Sequence, residues 1–419
     1  MIPYIVQLNK CSGLNQVVVF LQDFRVNAWE KRKLGELLTL LKDGTHGTHK
    51  KGCFAFLLSA KNVTRNKLHF DDTDRKISKK DFDEIYANYH LVQNDILVTI
   101  VGTIGRVALF PKLNVPIAFQ RSVAILRPKN LLSPGFLALE LQTHSVQYQL
   151  SASSNMSAQA GIYLGDLKRI IIAIPESQEQ DDIANTLFHL NDLIAATQGK
   201  FDQLQMVKKA LLQHLFDQSM RFKGYSDPWE KRKLGDLMKV TSVKRVHQSD
   251  WRKEGVPFLR ARDIIAFNKG QKIKEPIYIS ESQYEKYVKQ SGRVTPGDLL
   301  VTGVGSIGVP FVVKAKTPLY FKDGNIIWFQ NKTLDPDFLF YQFTSASVQS
   351  FVMSSSGKGT VGTFTISSGK RTPIVFPVMS EQRRIGMTLR NISNLIAATQ
   401  SKLSSLESLK KALLQGLFI

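Results

Sequence analysis

The sequence predicts a mixed α/β (α+β) fold written twice: two tandem, pseudo-symmetric globular domains, each followed by a long helix, with the two helices paired as an antiparallel coiled coil. Three observations carry that expectation. The heptapeptide WEKRKLG occupies residues 29–35 and returns at 229–235, a recurrence that chance does not supply and that marks a duplicated unit. Residues 118–217 align with 320–419 without a gap at an offset of 202. The end of each copy also carries residues spaced four-three-four-three, the period of a coiled-coil seam.

In chain order, residues 1–28 are a lead to which the sequence assigns no structure. The first domain is expected over 29–175 and its helix over 176–218, then a linker over 219–228, the second domain over 229–377 and its helix over 378–419. Each opening Trp, Trp29 or Trp229, heads a strand with outward charges. ILVTIV (96–101), SVAIL (122–126) and RIIIAIP (169–175) read as buried strands, matched by DLLVTGV (298–304), NIIWF (325–329) and TPIVFP (372–377). Ser133-Pro134 and Asp335-Pro336 each place a capping residue before a proline at the first helical position, so helices should run from there to about 150 and 352. Each helix feeds a small polar loop, SASSNMSAQAG in one copy and MSSSGKGTVG in the other, of the kind that lies on a surface and contacts partners.

GVGSIG (303–308) fits the G-x-G-x-x-G dinucleotide fingerprint, but VPFVVKAK follows it where a helix should begin, and the matching IVGTIG (100–105) lacks the first glycine. A tight strand–turn–strand connection is expected instead, with Gly102, Gly105, Gly305 and Gly308 supplying backbone freedom.

The seam of the first helix runs through Ile183, Leu187, Leu190, Ile194, Phe201, Leu204, Leu211 and Leu215, interrupted at Thr197 and Lys208. The second runs through Ile385, Leu389, Ile392, Ile396, Leu403, Leu406, Leu413 and Leu417, interrupted at the matching Thr399 and Lys410. Such a stripe makes a rod of roughly 50 Å, too long to be buried along its length in one small domain. Shared polar breaks favour pairing of the two rods, because a polar seam residue fixes register. The alternative is that each helix packs only on its own domain. Antiparallel pairing would give the duplicated chain a pseudo-two-fold axis.

Composition narrows the function. Lys and Arg total 56 against 35 Asp and Glu, a net charge of +21 and a pI near 9.8, so a polyanion, nucleic acid first, is the expected partner. The two cysteines, Cys11 and Cys53, are too few for a disulfide framework, and no apolar run approaches the ~20 residues of a membrane span. The N-terminal stretch does not read as a signal peptide, so a cytoplasmic protein is expected. DGTHGTHKKGC (43–53) offers His46, His49 and Cys53 without a second ligand pair, so no metal site is assigned there. Its Thr, His and Lys suit phosphates and base edges. None of the fifteen prolines is followed by another, which removes the Asn/Asp-Pro-Pro-aromatic motif of an adenine methyltransferase, and no phosphate-binding G-x-x-x-x-G-K-[ST] loop occurs. The pairs Asp71-Asp72 and Asp181-Asp182 read as solvated faces. No catalytic residue and no cofactor of the chain's own is assigned. WEKRKLG either only opens the fold or also lays its cations against phosphates or a partner subunit.

A variable front and a shared back, twice over, resemble the specificity subunit of Type I restriction-modification systems. The resemblance rests on the Trp-Glu…Lys-Leu-Gly openings, on DILVTIVGTIG and DLLVTGVGSIG, and on the Pro-x-x-x-Glu-Gln entries at Pro175/Glu179/Gln180 and Pro377/Glu381/Gln382. It covers residues from about 29 to 419; the short FPGF-like lead usual in that family before the opening Trp is missing. It implies a non-catalytic reader of double-stranded DNA whose two target recognition domains each read half of a bipartite, asymmetric site while the paired helices set the gap. It further implies two modification subunits carrying S-adenosylmethionine, docked around the rods, and through them restriction subunits using ATP and Mg2+. Donor-rich residues of the divergent fronts are the candidate readers: Thr45, His46, Thr48, Lys50, Lys61, Asn62 and Arg65 in the first domain, Lys244, Arg245, His247, Arg260 and Arg262 in the second, with Asn155 and Lys358 in the polar loops. Rival classes are a DNA- or RNA-binding scaffold without a methyltransferase partner, and a nuclease that keeps this architecture.

Overall fold

The computed structural model describes residues 29–64, 67–154, 160–314, 316–356 and 362–418. These fall into two compact units, one comprising the described residues of Met1–Ala195 and Ser405–Ile419, the other Ala196–Ser404. Each long helix therefore starts in one unit and ends in the other.

In the first unit the opening heptapeptide forms β1 (Glu30–Lys33), followed by β2 (Leu38–Asp43), β3 (Lys51–Leu58), β4 (Val63–Thr64), β5 (Lys67–Leu68), β6 (Lys76–Ile77) and α1 (Lys79–Ile85). The shared back supplies β7 (Ile96–Thr99), β8 (Val107–Leu109), β9 (Ile117–Phe119), β10 (Val123–Pro128), α2 (Pro134–Glu140), α3 (His144–Ala152), α4 (Leu164–Arg169), β11 (Ile171–Ile174) and the long α5 (Ser177–Phe216). The strands make a four-stranded sheet in the order β2-β10-β7-β8, a β1-β11 pair, a β6-β3-β9 sheet and a β4-β5 pair.

The second unit repeats the plan with β12 (Glu230–Lys233), α6 (Leu234–Leu237), β13 (Lys239–Thr241), β14 (Val256–Leu259), α7 (Ala261–Asn268), β15 (Ile277–Ile279), α8 (Glu281–Ser291), β16 (Leu299–Thr302), β17 (Pro310–Val312), β18 (Tyr320–Phe321) and β19 (Ile326–Gln330). It closes with α9 (Pro336–Thr344), α10 (Ala346–Ser355), α11 (Ile366–Arg371), β20 (Pro373–Phe376) and α12 (Met379–Leu417). Its sheets run β13-β19-β16-β17, β12-β20 and β15-β14-β18. The last corresponds to β6-β3-β9 strand for strand: β3 and β14 each pair antiparallel with one neighbour and parallel with the other. Two fronts with little sequence in common thus share a three-stranded sheet, although the first inserts the β4-β5 pair between its strands where the second inserts α7.

The expected single helices after Ser133 and Asp335 are each two. Thr143 and Ser345 adopt extended backbone (ψ 153° and 152°) and N-cap a second segment, Thr143 through its hydroxyl accepting from the Val146 amide at 3.4 Å. The continuous apolar pattern hid the break, because both segments bury their apolar side chains.

The strand–turn–strand reading of the glycine loops holds: β7 and β8, like β16 and β17, pair antiparallel. Gly105 and Gly308 have φ of 84° and 76°. A side chain at Gly105 would also strike Gln147, whose Nε2 donates to the Gly105 carbonyl at 2.9 Å; Gln349 does the same at Gly308 at 3.0 Å. The aspartate that heads each of these strands is buried and fully engaged. Asp95 accepts both arms of Arg127 at 2.8 and 2.9 Å, while Asp298 accepts from the Trp328 indole at 3.0 Å, from Thr295 and from the Asn331 amide.

The Pro-x-x-x-Glu-Gln motif is a staple. Gln180 accepts from the Ser133 amide at 2.8 Å and donates to the Leu131 and Pro175 carbonyls, tying the start of α5 to the cap of α2; Gln382 accepts from the Asp335 amide at 3.0 Å and donates to Pro377. All ten seam positions of α5 and all ten of α12 are buried or half-buried. In the first unit Ile183, Leu187 and Leu190 of α5 share a core with Leu413 and Leu417 of α12. In the second, Leu215 and Phe216 of α5 share one with Ile385 and Leu389 of α12. Burial pulls the ammonium groups of Lys208 and Lys410, the matched polar breaks, below the usual lysine range.

The opening Trp explains its own repetition. Trp29 packs edge-on against Phe136 of α2 and Phe418, at 5.6 and 5.9 Å, so the first domain's first residue holds the end of the second helix. Trp229 repeats the arrangement against Phe338 and Phe216, at 5.9 and 6.4 Å. The copies differ in one respect. The Trp29 indole donates to Glu179 at 3.1 Å, whereas the matching Glu381 is gripped by both arms of Arg221, from the connecting segment, and the Trp229 indole has no acceptor among the described residues.

A second asymmetry gives a pH prediction. Glu140, the last residue of α2, is 5% exposed and one carboxyl oxygen finds no donor among the described residues; the matching residue in the other copy is Gln342. Burial pushes the Glu140 carboxyl up to about 7 from an ordinary 4.5. The folded chain then holds a proton that the unfolded chain releases, so the stability tied to this group is complete below about pH 4.5 and is lost as pH rises to about 7. Glu140→Gln should leave the melting of the first unit unchanged at pH 4 and raise it at pH 8, by at most about 3 kcal/mol. Melting curves at the two pH values check this; equal shifts at both would sink it.

Candidate nucleic-acid interface

The loop after β2 presents the first group of candidate residues. Its base is fixed by the sheet: the Thr45 amide donates to Phe119 at 2.8 Å and the Arg121 amide donates to Thr45 at 3.0 Å. Its far side is fixed by α1, where Asp81 accepts the Lys50 amide at 3.0 Å and lies 4.0 Å from the His49 ring, and by Arg75, which donates to the His49 carbonyl. The Thr45 hydroxyl lies 2.6 Å from His49 Nε2. Thr48 and Lys50 are left exposed at the tip, as is His46, which pairs with Asp43. The structure therefore brings Thr45, His46, Thr48 and Lys50 together on one braced loop. Arg121, exposed beside Thr45, joins them; it lies in the shared back, outside the divergent stretch that holds the other candidates of this domain.

Lys61 and Asn62 divide. Lys61 is 69% exposed and 2.7 Å from Asp74, which its ammonium and the Asn62 amide hold down at about 2. Asn62 is only 4% exposed, and its amide is consumed by the Ser59 amide, the His69 carbonyl and Asp74. It shapes the loop and presents nothing outward, which corrects its place among the readers. Arg65, Asn155 and Lys358 lie outside the described residues. The flanks of the two polar loops are anchored on the glycine turns, through a Val101–Gly161 bridge in one unit and a Val304–Thr363 bridge in the other.

In the second unit Lys244, Arg245 and His247 are exposed on the segment after β13. Tyr320 donates to the Lys244 carbonyl at 3.1 Å, and the His247 amide donates to Asp250 at 3.3 Å, which fixes the backbone and leaves the side chains outward. Arg260 is a second correction. Its guanidinium is only 14% exposed and bonds both oxygens of the buried Asp263, at 2.8 and 3.0 Å, and the Glu275 carbonyl, so it caps α7 from inside. Arg262, 59% exposed, lies 3.5 Å from Glu275, its one ion pair among the described residues. With Lys272 and Lys274 it lines an open cleft of about 750 Å³. The distinction is testable: Arg260→Ala should cost about 3 kcal/mol by stranding buried Asp263. Arg262→Ala should leave the melting curve in place and weaken DNA binding; the reverse pattern would overturn both assignments.

Among the described residues no group of three His, Cys, Asp or Glu could hold a metal ion, and no helix is long and apolar enough to cross a membrane. Two like frames carrying unlike, cation-bearing fronts make this a duplicated two-domain protein. The chain matches the family model of the Type I restriction modification DNA specificity domain twice, at residues 27–206 and 226–408, and belongs to that family. It is 23% identical over 412 residues to a putative type I restriction enzyme specificity subunit of Methanocaldococcus jannaschii, covering 92% of each chain. Over 118 residues, 28% of this chain and 24% of the other, it is 38% identical to the EcoBI specificity subunit of Escherichia coli. The crystal structure of a Type I restriction-modification S subunit from M. genitalium superposes with a TM-score of 0.61 at 17% identity, covering 95% of this chain and 98% of that one.

Proposed function

We propose that this chain is the non-catalytic, DNA-reading subunit of a cytoplasmic Type I restriction-modification complex. Each unit reads one half of a bipartite, asymmetric site in double-stranded DNA. The two long helices pair as an antiparallel coiled coil, set the distance between halves and dock two modification subunits that methylate an adenine in each; restriction subunits join through these. S-adenosylmethionine, ATP and Mg2+ belong to those partners. The observation that carries the reading is that two fronts of unlike sequence are built on matching three-stranded sheets, β6-β3-β9 and β15-β14-β18. An asymmetric site asks for that: one docking geometry, two sets of base contacts. The readers are Thr45, His46, Thr48, Lys50 and Lys61 in one half and Lys244, Arg245, His247 and Arg262 in the other.

The test is a genome-wide map of N6-methyladenine with and without the gene. Loss of one bipartite motif on deletion is the expected result and gives both half-sites. An unchanged map in a strain that expresses the chain and its methyltransferase would favour a stand-alone DNA-binding scaffold.

A further inference from the structure

The exposed cations of the framework form a second pattern, distinct from the fronts. β1 and β12 carry the same four letters, Glu-Lys-Arg-Lys, and Lys31, Lys33, Lys231 and Lys233 all face solvent. Beside them end two six-residue helices of unlike sequence, α4 (LGDLKR) and α11 (ISSGKR), which share only the terminal Lys-Arg, exposed in both. The two pieces touch. The Leu34 amide donates to the Ile170 carbonyl at 2.8 Å and the Leu234 amide to Thr372 at 2.9 Å. A Cβ on Gly35 would come within 2.9 Å of the Lys168 Cβ, and one on Gly235 within 3.0 Å of the Lys370 Cβ. Carboxylates engage Arg32, Arg169 and Arg232. Lys31, Lys33 and Lys168, and Lys231, Lys233, Lys370 and Arg371, form no ion pair among the described residues.

Exposed side chains are not held by core packing, so their identity in two copies that diverge around them calls for a ligand that is the same at both. We propose that Lys31, Lys33, Lys168 and Arg169 in one unit, and Lys231, Lys233, Lys370 and Arg371 in the other, form twin sites for the phosphate backbone of duplex DNA. The inference rests on the DNA-reading function above and divides it: unlike fronts read bases, like frames hold phosphates. A phosphate backbone presents the same chemistry at each half-site whatever the bases. A docked protein would also be the same twice. Protein interfaces, however, are depleted in lysine, and six of these eight residues are lysines.

The test uses the full-length chain and a fluorescent 40-base-pair duplex of random sequence, titrated between 50 and 200 mM salt. The variants are K31Q/K33Q/K168Q and K231Q/K233Q/K370Q. Each should lower the slope of log affinity against log salt by about 2 to 3, at about 0.9 for every phosphate that the variant no longer neutralises. Melting curves and the methylated motif should stay as they are. An unchanged slope in variants of a salt-sensitive parent overturns the twin sites alone. Unchanged slope with loss of the co-purified modification subunit assigns the cations to protein docking. A parent chain whose duplex binding is absent or indifferent to salt overturns the sites and the DNA-reading function together.

Discussion

Removing residues 409–419 will melt the first unit, although the cut lies at the opposite end of the sequence. Leu409, Leu413, Leu414, Leu417 and Phe418 pack into the core built from Leu137, Phe136, Ile183 and Leu187, and Phe418 stacks on Phe136 at 5.4 Å. Burying side chains of this kind contributes about 1.5–3 kcal/mol each, so the loss is on the order of 10 kcal/mol, comparable with the whole stability of a domain. Calorimetry should show the first unit's transition lost and the second's kept. The matching substitution Phe216→Ala strikes the other unit, where the ring packs against Trp229 and Phe338, and should cost about 3–5 kcal/mol there, the usual order for a buried Phe. Should the truncated chain melt like the parent, the clasp does not hold in solution.

The same clasp shows what sequence reasoning could reach. The seam was legible because one residue in three or four must be apolar for a long helix to be covered, and every position so picked is shielded from solvent. The strands of the back were legible as apolar runs, and the glycine turns as a fingerprint in the wrong context. What stayed hidden was local in cause but non-local in partner. Strands of two or three residues such as Lys76–Ile77 and Ile277–Ile279 leave no periodicity to count, so the sheet common to the two fronts is not visible through their unlike letters. In the sequence Arg260 reads as a reader because arginine is donor-rich; the signal against it is Asp263, three residues on, in a capping pattern at the start of α7. Asn62 could not have been placed, since His69 and Asp74 reach it only through the fold. Arg221 sat in a stretch read as linker, and its partner Glu381 lies 160 residues away.

Deleting one matched heptad from each long helix, 197–203 with 399–405, should shorten the gap between the two methylated half-sites by about three base pairs. Seven residues at 1.5 Å remove about 10 Å of rod, and the duplex rises about 3.4 Å per base pair. The deletion preserves the seam, because the residues on either side, Ile194 with Leu204 and Ile396 with Leu406, fall back into the four-three spacing, and it removes Thr197 with Thr399 so that the polar breaks stay matched. Each helix N-terminal staple, Gln180 or Gln382, and each aromatic clasp lies outside the cut. Three base pairs also turn the duplex by roughly 100°, at about 10.5 pairs per turn, so one unit must approach its half-site from a new side. Where the complex does not accommodate that turn, methylation should fall away entirely while the purified chain still melts as two intact units. A single-helix deletion is the sharper control: with the helices paired as proposed it puts the two seams out of register, so it should destabilise the chain where the matched deletion does not. An unchanged gap in a matched variant that still methylates would show that the helices do not measure the site.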